Sequence, residues 1–397
     1  MPSPLVQPKQ RIHSVDILRG IIMIIMALDH CRDFFHIHAF DSDPTDMATT
    51  TPIYFFTRWI THYCAPNFLF LSGMSAFLAG LKKTKQEQSI WLIKRGIWLL
   101  FVEVFIMTLA FTFNPLYNVI ILQVIWSIGW SMIILGLLIR TNIKVIAVVG
   151  VIIFFGHNLL DYVKFDNTTV GGFLLDFFVT ASHKFIPYAP NRFILVFYAA
   201  VPWTGCMLLG YAMAQCFKPA FDAAKRRRIF LSTGIAFTVL FIVLRLMNAY
   251  GDPSPWSTQR SPVITLLSFF NVTKYPPSLM YCCMTIGPGL VVLSLLENVQ
   301  NKLTDIFEVY GRVPFAYYIM HFYLIHTITV IMFFVQGFGA KDIIDPNVPF
   351  LFRPTHLGVS LAGVYLLWCM VVAILYLPCK RFYQYKLTHK QWWLSYL

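Results

Sequence analysis

The stretch RIHSVDILRGIIMIIMALDHCRDFF, residues 11–35, decides how this chain folds. Its middle, residues 21–28, is wholly apolar and reads as a membrane helix. Its last turns then carry Asp29, His30, Arg32 and Asp33, and Arg19 stands near its start. Ionisable groups at membrane depth are costly and by default mark a functional site. Arg19 and His30 are eleven positions apart. At about 100° per residue that is three turns plus roughly 20°, with about 16 Å between them along the axis. Met26 and Asp33 share the stripe. One helix face thus offers a fixed cation, a spacer, an imidazole and a carboxylate, which suits a long ligand lying along the helix with proton chemistry at one end.

The remaining chain supports a membrane reading. Of its 397 residues, 57% are hydrophobic and only 12% charged, and the mean hydropathy is +0.65. A soluble domain carries about 25% charged residues. The first helix does not read as a cleaved signal, because charged residues rather than a small-residue cleavage site follow its apolar core. The net charge of +13 does not point to nucleic acid, since the basic residues sit in short loops between apolar runs, where they set topology. The eight cysteines are scattered without a CxxC pair, so neither a zinc site nor a disulfide framework is expected. His36 and His38 lack a third ligand at a recognisable spacing, and no metal is expected there.

Ten apolar runs approach the roughly 20 residues that a bilayer core demands: 16–36, 54–81, 91–112, 118–139, 143–162, 193–216, 228–248, 277–297, 313–335 and 357–379. With both termini in the cytoplasm, the basic clusters all fall inside. They are Lys9 and Arg11; Lys82, Lys83, Lys85, Lys94 and Arg95; Arg140 and Lys144; Lys218 and Lys225 through Arg228; Lys302 and Arg312; and Lys380, Arg381, Lys386 and Lys390. This is the asymmetry that the positive-inside bias produces. The expected fold is an all-α polytopic membrane bundle of about ten transmembrane helices, one domain over 1–397 with cytoplasmic termini. The loops 37–53, 163–192, 249–276 and 336–356 then lie outside, and His30 lies toward the outer leaflet.

Other polar groups interrupt the apolar runs. Arg58 and His62 are four apart and share a helix face. Pro66 removes the hydrogen bond that the His62 carbonyl would accept, and a carbonyl freed in this way is tolerated only where protein or water satisfies it. Glu103 is a lone acid in the third run, His321 and His326 lie in the ninth, and Lys274 and Tyr275 stand at the outer entrance of the eighth. Broken helices with intramembrane charges also occur in secondary transporters. An exporter of a small anionic or sugar-like molecule is therefore the rival reading, although the inverted repeat that favours one is not seen.

SVDILRGIIMIIMALDH, residues 14–30, resembles the first-helix signature of the transmembrane acyltransferases, an arginine and a histidine separated by ten residues, here Arg19 and His30. DHCRDFF and the segment FDSDPTDMATTTPIYFFTRWITHYCAPNFLFLSGMSAFL that follows are similar to the bacterial branch of the heparan-alpha-glucosaminide N-acetyltransferase catalytic-domain family. So are RFILVFYAAVPWTGCMLLGYA, YGDPSPWSTQ, NVTKYPPSLMY and GRVPFAYYIMHFYLIH, and the resemblance runs over essentially the whole chain.

That resemblance implies a multi-pass protein of a bacterial inner membrane. It implies an enzyme that moves an acyl group, usually acetyl, from cytoplasmic acyl-CoA to a sugar or glycan hydroxyl or amine on the other side. The catalytic histidine maps to His30 and the paired arginine to Arg19. On the residues' own placement, Asp33 one turn on is expected to orient the His30 imidazole, and His62 and Arg58 to stabilise the thioester oxyanion or the acceptor. In the lysosomal member the catalytic histidine lies in the loop after the first conserved helix, where this chain has His36 and His38. Arg19, Arg95 and Arg312 are the candidates for the phosphates of acetyl-CoA, the co-substrate. Asp29, Arg58, Lys274 and His321 are the candidates for the acceptor. The partners expected are acyl-CoA, the acceptor and the lipid bilayer, with a homodimer compatible with this reading.

Overall fold

The computed structural model describes residues 12–181 and 185–395. Lys9 and Arg11, counted above among the basic clusters, lie outside the described residues, as do residues 182–184 of the 163–192 loop. The chain runs through helices α1 (His13–Phe35), α2 (Pro52–Trp59), α3 (Cys64–Gly80), α4 (Lys85–Phe101) and α5 (Thr108–Thr112), then strand β1 (Val119–Leu122). Helices α6 (Val124–Leu138), α7 (Ile143–Gly156) and α8 (Val170–Leu175) lead to strands β2 (Phe185–Ala189) and β3 (Arg192–Val196). Then come α9 (Ala200–Met213), α10 (Ala223–Met247), α11 (Pro262–Phe270), α12 (Leu279–Leu295), α13 (Lys302–Arg312), α14 (Pro314–Val335) and α15 (Leu361–Thr388).

Each of the ten apolar runs contains helix. Among the described residues, five helical segments are long and apolar enough to cross a bilayer: Ile143–Tyr162, Ala223–Met247, Leu279–Asn298, Pro314–Val335 and Leu361–Thr388. The chain is a mostly helical integral membrane protein. Helix α1 is its pillar, packed against α3, α12, α13, α14 and α15. A Cβ on Gly20 would sit 1.8 Å from the Phe307 carbonyl oxygen, and one on Gly311 would sit 1.8 Å from that of Asp16. Backbone therefore meets backbone where α1 crosses α13, the close approach that small residues allow between membrane helices.

The structure departs from an all-helical reading in four places. The run 54–81 is broken: a 3-10 turn, Ile60–Tyr63, separates α2 from α3. The cause is Pro66, and the Tyr281 hydroxyl donates to the freed His62 carbonyl at 2.9 Å. The run 91–112 contains a π-turn, Val102–Met107, which carries Glu103. The runs 118–139 and 193–216 begin as the strands β1 and β3, which pair in parallel with Val119 opposite Phe193 and Leu122 opposite Val196. β2 adds antiparallel on the other side of β3. Short runs such as VIIL and RFILV are β-branched and favour strands, but hydrophobic periodicity cannot separate them from buried helix. Both paired strands end at one cavity, β1 leading into Gln123 and β3 into Phe197 and Tyr198.

Two loops brace the same end of the bundle. Arg353 is fully buried and donates to the carbonyls of His36 (2.7 Å) and Pro354 (2.7 Å). Its charge thereby faces the negative C-terminal end of α1. Burial pulls its pKa down to about 10, so it stays protonated at neutral pH. Val359 bonds backbone to backbone with Phe35 and Ile37. In the second loop Asp252 accepts from the Ser254 and Thr273 amides, each at 2.8 Å, and from the Ser278 hydroxyl at 2.6 Å. Arg245 donates to the carbonyls of Ser268, Phe269 and Asn271. This knot fixes the segment that carries Lys274.

Candidate active site

The site is built around Asp29. This carboxylate is buried near the end of α1, and three cations converge on it. Arg58 from α2 is hydrogen-bonded to it, Arg32 from the next turn is 3.0 Å away, and Lys274 from the loop before α12 is 4.0 Å away. Arg32 also pairs with Asp33 at 2.6 Å. Three cations thus face two carboxylates. A buried carboxylate is tolerable only when it is paired and hydrogen-bonded, and the pairing here fixes where α2 and the Lys274 loop meet α1.

His30 is beside this cluster. Its Nδ1 lies 2.8 Å from Nε2 of His321 on α14, and His321 Nδ1 lies 3.2 Å from the Tyr317 carbonyl. A carbonyl can only accept, so His321 carries its proton on Nδ1 and presents a bare Nε2. His30 then donates from Nδ1 and keeps a lone pair on Nε2, an assignment that follows from the partners of both rings. No described residue hydrogen-bonds His30 Nε2, and the ring lines a cavity of about 540 Å³. Phe322 packs on His30 with ring centroids 4.2 Å apart.

Asp29, His30, Arg32, Asp33, Arg58, Gln123, Tyr198 and Lys274 all line that cavity, and residues 39–44 with Phe350 form its rim. A volume of this size takes a drug-sized or sugar-sized ligand. Glu103 sits one layer behind Gln123. Fully buried, it accepts from the Gln123 amide at the start of α6. An oxygen acceptor there satisfies one of the free amides at the helix N-terminus, while the other Glu103 oxygen is buried without a partner among the described residues.

The candidates divide. Asp29, His30, Asp33, Arg58 and Lys274 share the cavity, and His321 supports it from behind. Asp33 is engaged by Arg32, and His321 rather than Asp33 holds the His30 imidazole. His62 is buried in the 3-10 turn and is not on the cavity wall; its ring packs edge-on against Tyr281, with centroids 5.4 Å apart. At the other end of α1, Arg19 donates to Asp16 (3.0 Å), the Gly311 carbonyl (3.1 Å) and Ser75 (2.6 Å). Arg312, the neighbour of Gly311, pairs with Glu308 at 2.6 Å and Tyr383 at 2.7 Å. Arg95 lies apart on α4, 5.8 Å from the Trp91 ring centre. His38 pairs with Asp41 at the rim (3.1 Å), and both nitrogens of His326 meet carbonyls, those of Ala110 and Leu351. Gln123, Tyr198 and Tyr318 were not singled out in the sequence. Tyr198 and Tyr318 sit within aromatic-rich stretches, and Gln123 inside an apolar run is the one visible signal among them.

A sequence model of the heparan-alpha-glucosaminide N-acetyltransferase catalytic domain matches residues 11–245. The matched part holds Asp29, His30, Arg58, Gln123 and Tyr198, while Lys274 and His321 complete the site from beyond it. No curated protein matches the chain. By that match, over more than half its length, the chain belongs to the heparan-alpha-glucosaminide N-acetyltransferase catalytic family of membrane acetyltransferases.

Proposed function

We infer that the protein transfers an acyl group, most simply acetyl, from acyl-CoA on the cytoplasmic side to a sugar or glycan hydroxyl or amine on the other side of a bacterial inner membrane. The observation that carries this reading is the His30–His321 pair, which leaves His30 Nε2 without a partner among the described residues, on the wall of a sugar-sized cavity. The Lys/Arg asymmetry supports placing that cavity at the outer face.

In the mechanism His30 Nε2 takes the proton of the acceptor as its oxygen or nitrogen adds to the thioester carbon. His321 holds the imidazole in the tautomer that can do so. The carbon–sulfur bond then breaks, and the proton taken from the acceptor passes to the leaving thiolate. Transient acylation of His30 is the covalent variant of the same step. Arg58 and Lys274 supply positive charge beside the reacting centre, where preorganised charge is most effective. Arg19 and Arg312, about 16 Å or more down α1, are the basic groups for the donor's phosphates, with Arg95 a more distant contributor.

The test uses proteoliposomes with acetyl-CoA on the cytoplasmic side and glucosamine as the probe acceptor on the other. Release of CoA that His30→Ala abolishes supports the reading. An exporter would move solute without consuming acetyl-CoA, and that result overturns it.

A further inference from the structure

The charges beside His30 do not balance. Arg32, Arg58 and Lys274 stand against Asp29 and Asp33 alone, and His30 is neutral in the tautomer that His321 sets. Asp41 and Asp43 also line the cavity, but at its exposed rim. Asp41 is paired with His38, and Asp43 accepts from the Thr45 amide and hydroxyl, each at 2.8 Å. Solvent screens charges placed there. The inner wall is left one positive charge in excess.

Lys274 carries that excess. Its side chain is 9% exposed, and the nearest carboxylate oxygen, on Asp29, is 4.0 Å from Nζ, beyond hydrogen-bond reach. Asp29 is already engaged by Arg58 and Arg32. The Tyr275 ring lies 5.1 Å from Nζ, and no described residue accepts a hydrogen bond from it. An ammonium has three such bonds to give, and a buried charge is tolerable only when paired and hydrogen-bonded. The backbone around Lys274 is pinned, with the Thr273 amide on Asp252 at 2.8 Å and the Thr273 carbonyl on the Ser278 amide at 3.0 Å. The fold thus delivers an unpaired ammonium to the cavity wall. Arg58 stands beside it. It gives Nη1 to Asp29, and its other N–H groups have no partner among the described residues.

We propose that Lys274 and Arg58 form an anion subsite for a carboxylate carried by the acceptor, which is then an acidic sugar with its acid group beside the reacting hydroxyl or amine. The assignment rests on the acyl-transfer reading above and adds the class of the acceptor. One carboxylate makes three negative charges against three positive. Its two oxygens suit a guanidinium fork and an ammonium together, the charge-assisted arrangement that is strongest. A neutral sugar leaves the ammonium unpaired, and a phosphate dianion overshoots the balance. No bond is made or broken at this subsite. It positions the acceptor so that its nucleophile meets His30 Nε2.

The experiment measures calorimetric binding of glucuronate, glucose and a glucose phosphate to the purified full chain, and acetyl-CoA consumption with the same sugars. Glucuronate should bind about tenfold or more tighter than glucose, the scale of a hydrogen bond to a charged group, and tighter than the phosphate. Lys274→Met should bring the glucuronate and glucose affinities to within about threefold of each other, the ammonium's bonds being lost. It leaves two cations to two carboxylates, so the ligand-free protein should keep its thermal midpoint. Lys274→Gln repeats the test should that variant fail to fold, and Lys274→Arg, which keeps the charge, should keep most of the preference. Equal or no binding of glucuronate and glucose, a preference that survives loss of the ammonium, or tighter binding of the phosphate overturns the subsite. So does displacement of glucuronate by adenosine bisphosphate, the nucleotide end of the donor, which would assign the cluster to CoA. Acetyl-CoA consumed without a preference for glucuronate overturns the subsite alone. A preference for glucuronate in a protein that consumes no acetyl-CoA overturns the transfer reading and leaves the subsite standing.

Discussion

His30 Nδ1 and His321 Nε2 lie 2.8 Å apart although 291 positions separate them in the chain. Because Tyr317 fixes the tautomer of His321, and His321 fixes that of His30, the lone pair on His30 Nε2 is a property of both helices. His30→Ala should abolish transfer, a loss of roughly 10²–10⁴-fold for a general base, with acetyl-CoA affinity unchanged. His321→Phe keeps the ring but removes the acceptor, and should lower kcat about 10-fold to 100-fold. His321→Gln, which restores an acceptor oxygen, should recover part of that loss. Wild-type turnover in His321→Phe would show that the tautomer is set elsewhere.

Asp29 neutralises a cluster that otherwise carries three cations against Asp33 alone. Breaking a buried ion pair on one side costs about 3–5 kcal/mol. Asp29→Asn should therefore lower the thermal midpoint in detergent sharply. Adding Lys274→Met removes one of the stranded cations and should restore part of the loss. A double variant less stable than Asp29→Asn would mean that Lys274 is held by something other than Asp29.

Arg19 and His30 lie on one helix but at opposite ends of the proposed donor. Arg19→Ala should weaken acetyl-CoA binding about 10-fold to 100-fold, the range for a hydrogen bond to a charged group. Arg19→Lys should recover only part, since lysine lacks the planar fork. Calorimetry with each variant reads this directly. Because Arg19 also ties α1 to Ser75 and Gly311, the thermal midpoint must be followed in parallel. A fall in stability with unchanged affinity would make Arg19 a strut.

What could be read from the sequence were the costs. Asp29, His30 and Arg58 stood out because charge at membrane depth has to be compensated, and Lys274 by its place at the outer entrance of the eighth run; the structure places all four on one cavity. The consequence of Pro66 was equally legible, since a freed carbonyl has to be satisfied, and Tyr281 does so. Pairings across the chain were not legible. Nothing periodic links His30 to His321, and Asp33, one helical turn from His30, is drawn to its neighbour Arg32. Nor did VIIL and RFILV announce strands, because an apolar run of that length suits either structure.

The Tyr281–His62 bond makes the kink testable. Tyr281→Phe strands the His62 carbonyl, at a cost of about 1–3 kcal/mol. Pro66→Ala returns an amide that can bond that carbonyl within the helix. The two changes should therefore couple, with Tyr281→Phe costing less in the Pro66→Ala background, as expected for residues that share one partner. Strict additivity in the thermal midpoints would show that the carbonyl is satisfied by other means.

The side on which the cavity opens decides which reactant it receives. Ser42 lines its rim, and Gln86 lies exposed near the start of α4, at the other end of α3 from the kink. If the basic clusters are cytoplasmic, a cysteine at Ser42 faces outward and one at Gln86 inward. Seven of the eight native cysteines are buried and Cys369 is exposed, so Cys369→Ser supplies the quiet background. An impermeant thiol reagent added to intact cells should label Ser42→Cys and spare Gln86→Cys until the membrane is opened. The reverse pattern would turn the bundle over. The His30 cavity would then meet the cytoplasmic donor, and the acceptor would have to arrive by the Arg19 end.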